Sequence, residues 1–237
     1  MTQSRDGAPE HSAVYRWLKD MLIDFRFRPG EPIMINETAD RLRVSATPVR
    51  ESLIRLRSEG FLDATPRRGF VTKVLHPKEM TELHELMWVI LAHSTDVVRA
   101  FDIDMLGSIV VDHVHADSCT ASPQWVIGQL DAIYERLAAV ARNDVMFDIF
   151  RNASERTRYV RIIDLEDAEQ LTAAARLIED LPPALRAWDA GTASAMIWRD
   201  IDGRIGRMQT LVKDGISRSC AAILPDCNWV SQCSHPG

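Results

Sequence analysis

A chain of 237 residues with 46% hydrophobic side chains can bury one large core or two modest ones. Its net charge of −6 argues against a protein that coats nucleic acid, and with neither a long uninterrupted apolar run nor an apolar leader, membrane spanning and export are not expected and a cytoplasmic location is. The charge is uneven, since residues 1–76 carry 13 Lys/Arg against 10 Asp/Glu and the remainder 15 against 24, which suits a module that meets phosphates locally joined to an acidic one.

Residues 1–10 are polar, contain Gly and Pro, and read as disordered. From Ser12, the apolar positions Val14, Trp17, Leu18, Met21, Leu22 and Phe25 recur at three and four, predicting a helix that ends before the Arg28-Pro29-Gly30 turn. Asn36 is placed as the N-cap of a short helix reaching Arg43; Val44-Ser45 breaks the chain, and Thr47 and Pro48 begin a second helix. Val49, Leu53 and Leu56 form its inner face and Gly60 supplies its stop. Two β-prone pieces, 61–64 and 69–74, flank Thr65-Pro66-Arg67-Arg68 and predict a hairpin with a basic tip. His76-Pro77-Lys78 reads as a linker, which makes residues 11–76 the first domain.

Helix, tight turn, helix and hairpin is the order of a winged helix-turn-helix, which lays its second helix in the major groove and its wing along the backbone. Asn36, Ser45 and Thr47 are placed on the DNA side, where hydroxyls and the free N–H groups of a helix start suit phosphates. Arg50 suits a guanine edge, because its planar fork donates two hydrogen bonds to O6 and N7; the alternative is an internal pair with Glu37 or Glu51. Arg67 and Arg68 put cations at the wing tip, where Gly69 allows the backbone to come close to DNA. Arg55 and Arg57 lie further along and are assigned to phosphates or to the surface.

From residue 77 to 214 the pattern is helical. Leu83, Leu86, Met87, Ile90 and Leu91 make one stripe, and Leu130, Ile133, Tyr134, Leu137 and Val140 another. Further helices are predicted over 147–163, 168–178 and 184–211, with Pro182-Pro183 separating the last two. The fold class is therefore mainly α, a winged helix-turn-helix followed by an all-α bundle. Residues 215–237 lack periodicity and read as a loosely ordered tail. Cys119, Cys220, Cys227 and Cys233, even with His235 nearby, lack paired Cys-x-x-Cys spacing and read as free thiols. His84, His93, His113 and His115 read as structural or exposed; on a helix the last two diverge by about 200° and cannot chelate together.

The run Val44-Ser45-Ala46-Thr47-Pro48-Val49-Arg50-Glu51-Ser52-Leu53, followed by Arg55-Leu56, Glu59-Gly60-Phe61 and Arg68-Gly69-Phe70, resembles the GntR superfamily of bacterial regulators, as does Arg28-Pro29-Gly30-Glu31 before it. This resemblance covers the first third of the chain. The usual pattern has Arg where this chain has Ala46, and Ala where it has Ser52, which leaves more of the contact to Arg50. Asp131-Ala132-Ile133-Tyr134-Glu135, Asn143 and Ala184-Leu185-Arg186-Ala187-Trp188-Asp189 resemble the FCD type of effector domain in the FadR-like subfamily.

The resemblance implies a DNA-binding transcription regulator, a repressor acting as a homodimer on a palindromic double-stranded operator, with a small-molecule effector in the helical domain. It also implies a divalent metal held by one Asp and three His, but those histidines fall on Glu135, Ile178 and Asp200. Asp131, Glu135 and Asp200 remain as a candidate set for Mg²⁺, Mn²⁺ or Ca²⁺, or else as ordinary pocket or surface groups. Where many relatives have an effector-pairing Arg, this chain has Met87, so the expected effector pocket is Met87, Asp131, Glu135 and Asp200, with Arg151, Arg156, Arg158 and Arg161 as candidate substitutes. Two alternatives from other classes are a ligand-independent regulator whose helical domain only dimerises, and a helical-bundle metal-dependent enzyme. No Ser-His-Asp order, phosphate-binding glycine loop or His-Glu-x-x-His motif supports the enzyme.

Overall fold

The structure, a computed structural model, describes residues 7–97 and 122–221. The chain divides into two compact units, one of residues up to Val74 together with those from Ile216 onward, the other Leu75–Gly215. Each follows its own packing logic.

The first unit contains α1 (Gly7–Ile23), α2 (Ile35–Leu42), α3 (Ala46–Ser58), β1 (Leu62–Thr65) and β2 (Gly69–Thr72). Val14, Leu18 and Leu22 of α1 meet Ala39 and Leu42 of α2, Val49, Leu53 and Leu56 of α3, and Phe61 and Leu62 beyond it. Each fully buried leucine there contributes about 1.5–3 kcal/mol, so this apolar contact fixes where α3 lies. α2 ends at Arg43, whose backbone turns left-handed at φ +57 while its N–H reaches the carbonyls of Ala39 and Asp40. Gly60 (φ +83) lets the chain leave α3 for β1.

Three expectations change here. α1 begins at Gly7, so the end of the segment read as disordered is helical. α2 is preceded by Met34 in extended conformation with no side-chain cap, and Asn36 lies exposed within the helix instead of capping it. The hairpin has an additional neighbour: Pro32 bridges Val71, Gly30 N–H donates to Thr72 O at 3.0 Å, and Ile33 N–H donates to Phe70 O at 2.9 Å. The Pro29-Gly30 turn therefore delivers residues 30–33 to the free edge of β2, a pairing that local sequence signals do not encode.

The second unit is built from α4 (Pro77–Val97), α5 (Pro123–Val140), α6 (Asp144–Asp164), α7 (Ala168–Arg186) and α8 (Ala190–Ala221), the last of which runs beyond the unit. The starts of α5, α6 and α7 are capped by side chains: Ser122 accepts from Trp125 N–H, Asn143 from Met146 N–H, and Asp167 from the N–H groups of Glu169 and Gln170.

Pro182 and Pro183 do not separate two helices; both lie inside α7. They cost the helix two N–H donors, but Leu181, Pro182 and Leu185 are buried, and that packing carries the helix past them. The break falls later, where Trp188 adopts φ +61 and the Asp189 carboxylate accepts from Thr192 N–H at 2.9 Å. α8 continues to Ala221, so the start of the segment read as a loose tail is helical. His113, His115, Cys119, Cys227, Cys233 and His235 lie outside the described residues.

Candidate functional site

The first unit presents the start of α3 and the hairpin tip to solvent. Ser45 is the extended residue before α3, and its hydroxyl makes no capping bond, which leaves it and the first N–H groups of the helix available to an anion. Pro48 and Val49 are buried and anchor this helix start, while Thr47 and Arg50 point outward. Ser52, one of the two departures from the usual pattern, is buried and donates to Pro48 O at 2.7 Å. Among the described residues Arg50 forms no ion pair, with Glu37, Glu51 or any other group. At the hairpin tip Arg67 and Arg68 are exposed, and Arg68 N–H donates to Thr65 Oγ1 at 3.2 Å. A Cβ on Gly69 would meet nothing within 4 Å, so glycine is required there by its φ of +69 and not by crowding.

Arg55 differs from these cations. Its guanidinium lies 3.9 Å from the Tyr15 ring centroid, and its Nε donates to Glu59 at 2.9 Å. Tyr15 Oη donates to the same carboxylate at 2.6 Å, and Lys19 Nζ is 3.4 Å from it. Burial alone would raise the pKa of Glu59, but bonds from Tyr15 and Arg55 and the charge of Lys19 outweigh it and hold the carboxyl below its usual value. Burial and the bond to Glu59 push Tyr15 up. Arg55 thus fastens α3 to α1.

In the second unit, two of the carboxylates expected to bind a metal, Asp131 and Asp200, are held by arginines. Asp131 accepts from Arg161 Nη1 at 2.5 Å, Arg158 Nη1 at 2.6 Å and Ser154 Oγ at 3.1 Å. Asp200 accepts from Arg204 Nη2 at 2.8 Å and from Tyr134 Oη at 3.3 Å. Arg204 Nε reaches Asp164 at 3.1 Å, and Arg207 donates to Asp164 at 2.8 and 2.9 Å. Burial disfavours the charge on Arg204, yet Asp200 and Asp164 more than reverse this and hold it protonated. Glu135 makes none of these bonds and is pushed up by burial and by the charge of Asp131. Among the described residues no group of three His, Cys, Asp or Glu side chains is placed to hold a metal. Of the three carboxylates expected to hold a cation, Asp131 and Asp200 are engaged by guanidinium groups and Glu135 is not, while Ile178 is a buried hydrocarbon.

His84 on α4 lies in this polar centre, fully buried. Burial, then the charge of Arg204, lowers its pKa to about 3. Met87, one turn on, is buried, and the Thr157 hydroxyl lies 3.6 Å from its sulfur. Of the other candidate arginines, Arg156 pairs with Glu79 of α4 and Arg151 with Asp148 on the surface. A cavity of about 490 Å³ opens between α7 and α8, lined in part by Arg176, Met196, Arg199, Asp200 and Arg204. Of the four expected effector-pocket residues it takes in Asp200. His93 is exposed, in keeping with its reading. Sequence reasoning missed Asp164 and Arg204: the spacing Asp200 to Arg204 was legible as a helical pair, but the partners Asp164 and Arg204 are 40 residues apart and left no local signal.

The model of the gntR family of bacterial regulatory proteins matches residues 11–71. The Nta operon transcriptional regulator of Aminobacter aminovorans is 32% identical over 148 residues, covering 61% of this chain and 70% of that protein. The transcriptional repressor RspR of Escherichia coli K12 is 34% identical over 74 residues, covering 31% of this chain and 32% of that one. Among solved structures, McbR of Escherichia coli superposes with a TM-score of 0.65 at 19% identity, over 84% of this chain and 97% of that one. This last likeness is one of fold.

Proposed function

The chain belongs to the gntR family of bacterial regulatory proteins, a DNA-binding transcription regulator, and from that premise we propose that it works as a homodimer whose two α3 helices read a palindromic operator. The observation that carries this reading is the set of outward cations and hydroxyls, Ser45, Thr47, Arg50, Arg67 and Arg68, on one helix start and wing. Arg50 is the base reader; Ser45, Thr47 and the wing arginines hold phosphates, with Asn36 at the margin of the contact. Leu75–Gly215 acts as an FCD-like effector and dimerisation domain of the FadR-like subfamily, and effector binding there changes the spacing of the two helices in a repressor acting in the cytoplasm. No described helix is long and apolar enough to cross a membrane.

Binding of the purified protein to its own promoter region, titrated against salt and compared with random duplex, tests the reading. A specific complex whose affinity falls steeply with salt is expected. Equal affinity for both duplexes at every salt concentration would end it.

One observation favours a second reading, a ligand-independent regulator whose helical domain only dimerises: Arg161 and Arg204 are already engaged by Asp131, Asp164 and Asp200, and Met87 offers no charge. Thermal shifts against a metabolite library separate the two, because a ligand that binds the native state raises Tm by mass action.

A further inference from the structure

Among the described residues, two buried side-chain nitrogens have no hydrogen-bond partner, His84 Nε2 and Arg161 Nε. They lie in the same polar centre: His84 stands one turn before Met87, whose sulfur is 3.6 Å from Thr157 Oγ1, and Thr157 Oγ1 and Arg161 Nη2 both donate to Ser154 O, at 3.1 and 2.7 Å. Their chemistry is complementary. His84 Nδ1 lies 2.7 Å from Met80 O, and a carbonyl only accepts, so the ring proton is on Nδ1 and Nε2 presents a bare lone pair. Arg161 spends Nη1 on Asp131 and Nη2 on the carbonyl and hydroxyl of Ser154, which leaves its Nε–H as a donor lacking an acceptor. One orphan needs a donor and the other an acceptor, and leaving either dry is costly in so buried a place.

We infer that the centre of the helical unit is built to hold a hydroxyl group, one that donates to His84 Nε2 and accepts from Arg161 Nε–H. A carboxylate would satisfy Arg161 but set its lone pairs against that of His84. A divalent metal would satisfy His84 but would sit in the field of Arg161 and Arg204, with the nearby carboxylates already committed. A hydroxyl fits both demands, whether it is a trapped water or the hydroxyl of an effector. Only the second source rests on the effector reading above.

The test uses full-length protein with ¹⁵N-labelled histidine at neutral pH. His84→Gln identifies the His84 resonances by their loss; if that variant does not fold, the imidazole that stays neutral while exposed histidines titrate identifies them instead. The inference expects a proton on Nδ1 and an Nε2 shift typical of a hydrogen-bond acceptor, unchanged when EDTA-treated protein receives Zn²⁺ or Mn²⁺. Ethylene glycol and glycolate are then added, with acetate as the hydroxyl-free control. A shift at Nε2 with the hydroxyl compounds alone identifies a ligand's hydroxyl. An acceptor-type Nε2 that no probe moves identifies a trapped water, which upholds the inference and counts against the effector reading at this position. A proton on Nε2, an unbonded Nε2, a shift on adding metal, or an equal response to acetate would each overturn it.

Discussion

Arg50 and Arg55 stand five residues apart on one helix, the first outward and the second tied to Tyr15 and Glu59. Because Arg50 is exposed and makes no ion pair among the described residues, Arg50→Ala should leave Tm within about 0.5 kcal/mol equivalent of the parent and cost roughly 1–3 kcal/mol in discrimination between operator and a singly altered site, measured by fluorescence anisotropy. Arg55→Ala should do the reverse, lowering Tm through loss of its stack on Tyr15 and its bond to Glu59, while sparing the preference among DNA sequences in the molecules that remain folded. His84 supplies a second residue-level expectation. Its folded pKa, about 3, lies below its ordinary value of 6.5, so the unfolded chain takes up a proton that the folded one refuses. Stability from this group is complete above about pH 6.5 and is lost as pH falls toward 3, at up to about 1.4 kcal/mol per pH unit. Denaturant melts across that range should show a shallower slope for His84→Gln than for the parent; identical slopes would mean that His84 is not held neutral.

At the scale of elements, the places where sequence reading succeeded and failed have a common cause. Helix periodicity and Gly60 as a stop were legible because each is a local chemical statement. The pairing of residues 30–33 with β2 and the passage of α7 through Pro182-Pro183 were not, because both depend on distant packing that overrides local preference. For α7 this has a measurable result. Pro183 is exposed, and replacing it by Ala restores a donor for the helix without opening a cavity, so Pro183→Ala should raise Tm by calorimetry, the gain bounded by the ~3 kcal/mol helix penalty of proline less the added freedom of the unfolded chain. Unchanged or lower Tm would mean that this proline fits its turn without strain.

For the whole molecule, the division into a mildly basic reader and an acidic helical partner was visible in the charge count, while the interior of the partner was not. Asp131 and Asp200 were singled out as metal or pocket candidates, but their guanidinium partners come from α6 and α8, and sequence spacing cannot say whether such a carboxylate meets a metal or a guanidinium. With arginine in that role, Arg204→Met should cost about 3–5 kcal/mol by denaturant melts, since Asp164 and Asp200 would stay buried with part of their compensation gone. A loss no larger than that of a surface substitution would show that the network contributes little.

Gly215 of α8 packs so closely that a Cβ there would come within 2.9 Å of Leu75 Cδ1. Leu75 and Gly215 are the first and last residues of the helical unit, so its chain enters and leaves through adjoining doors. A polypeptide with neighbouring ends can be rewired: a circular permutant that joins 215 to 75 by a short linker and opens at the turn between α6 and α7 should keep its helical circular dichroism and melt cooperatively. The same adjacency makes such a module portable, able to be spliced as a cassette into a loop of another protein without prying its host apart.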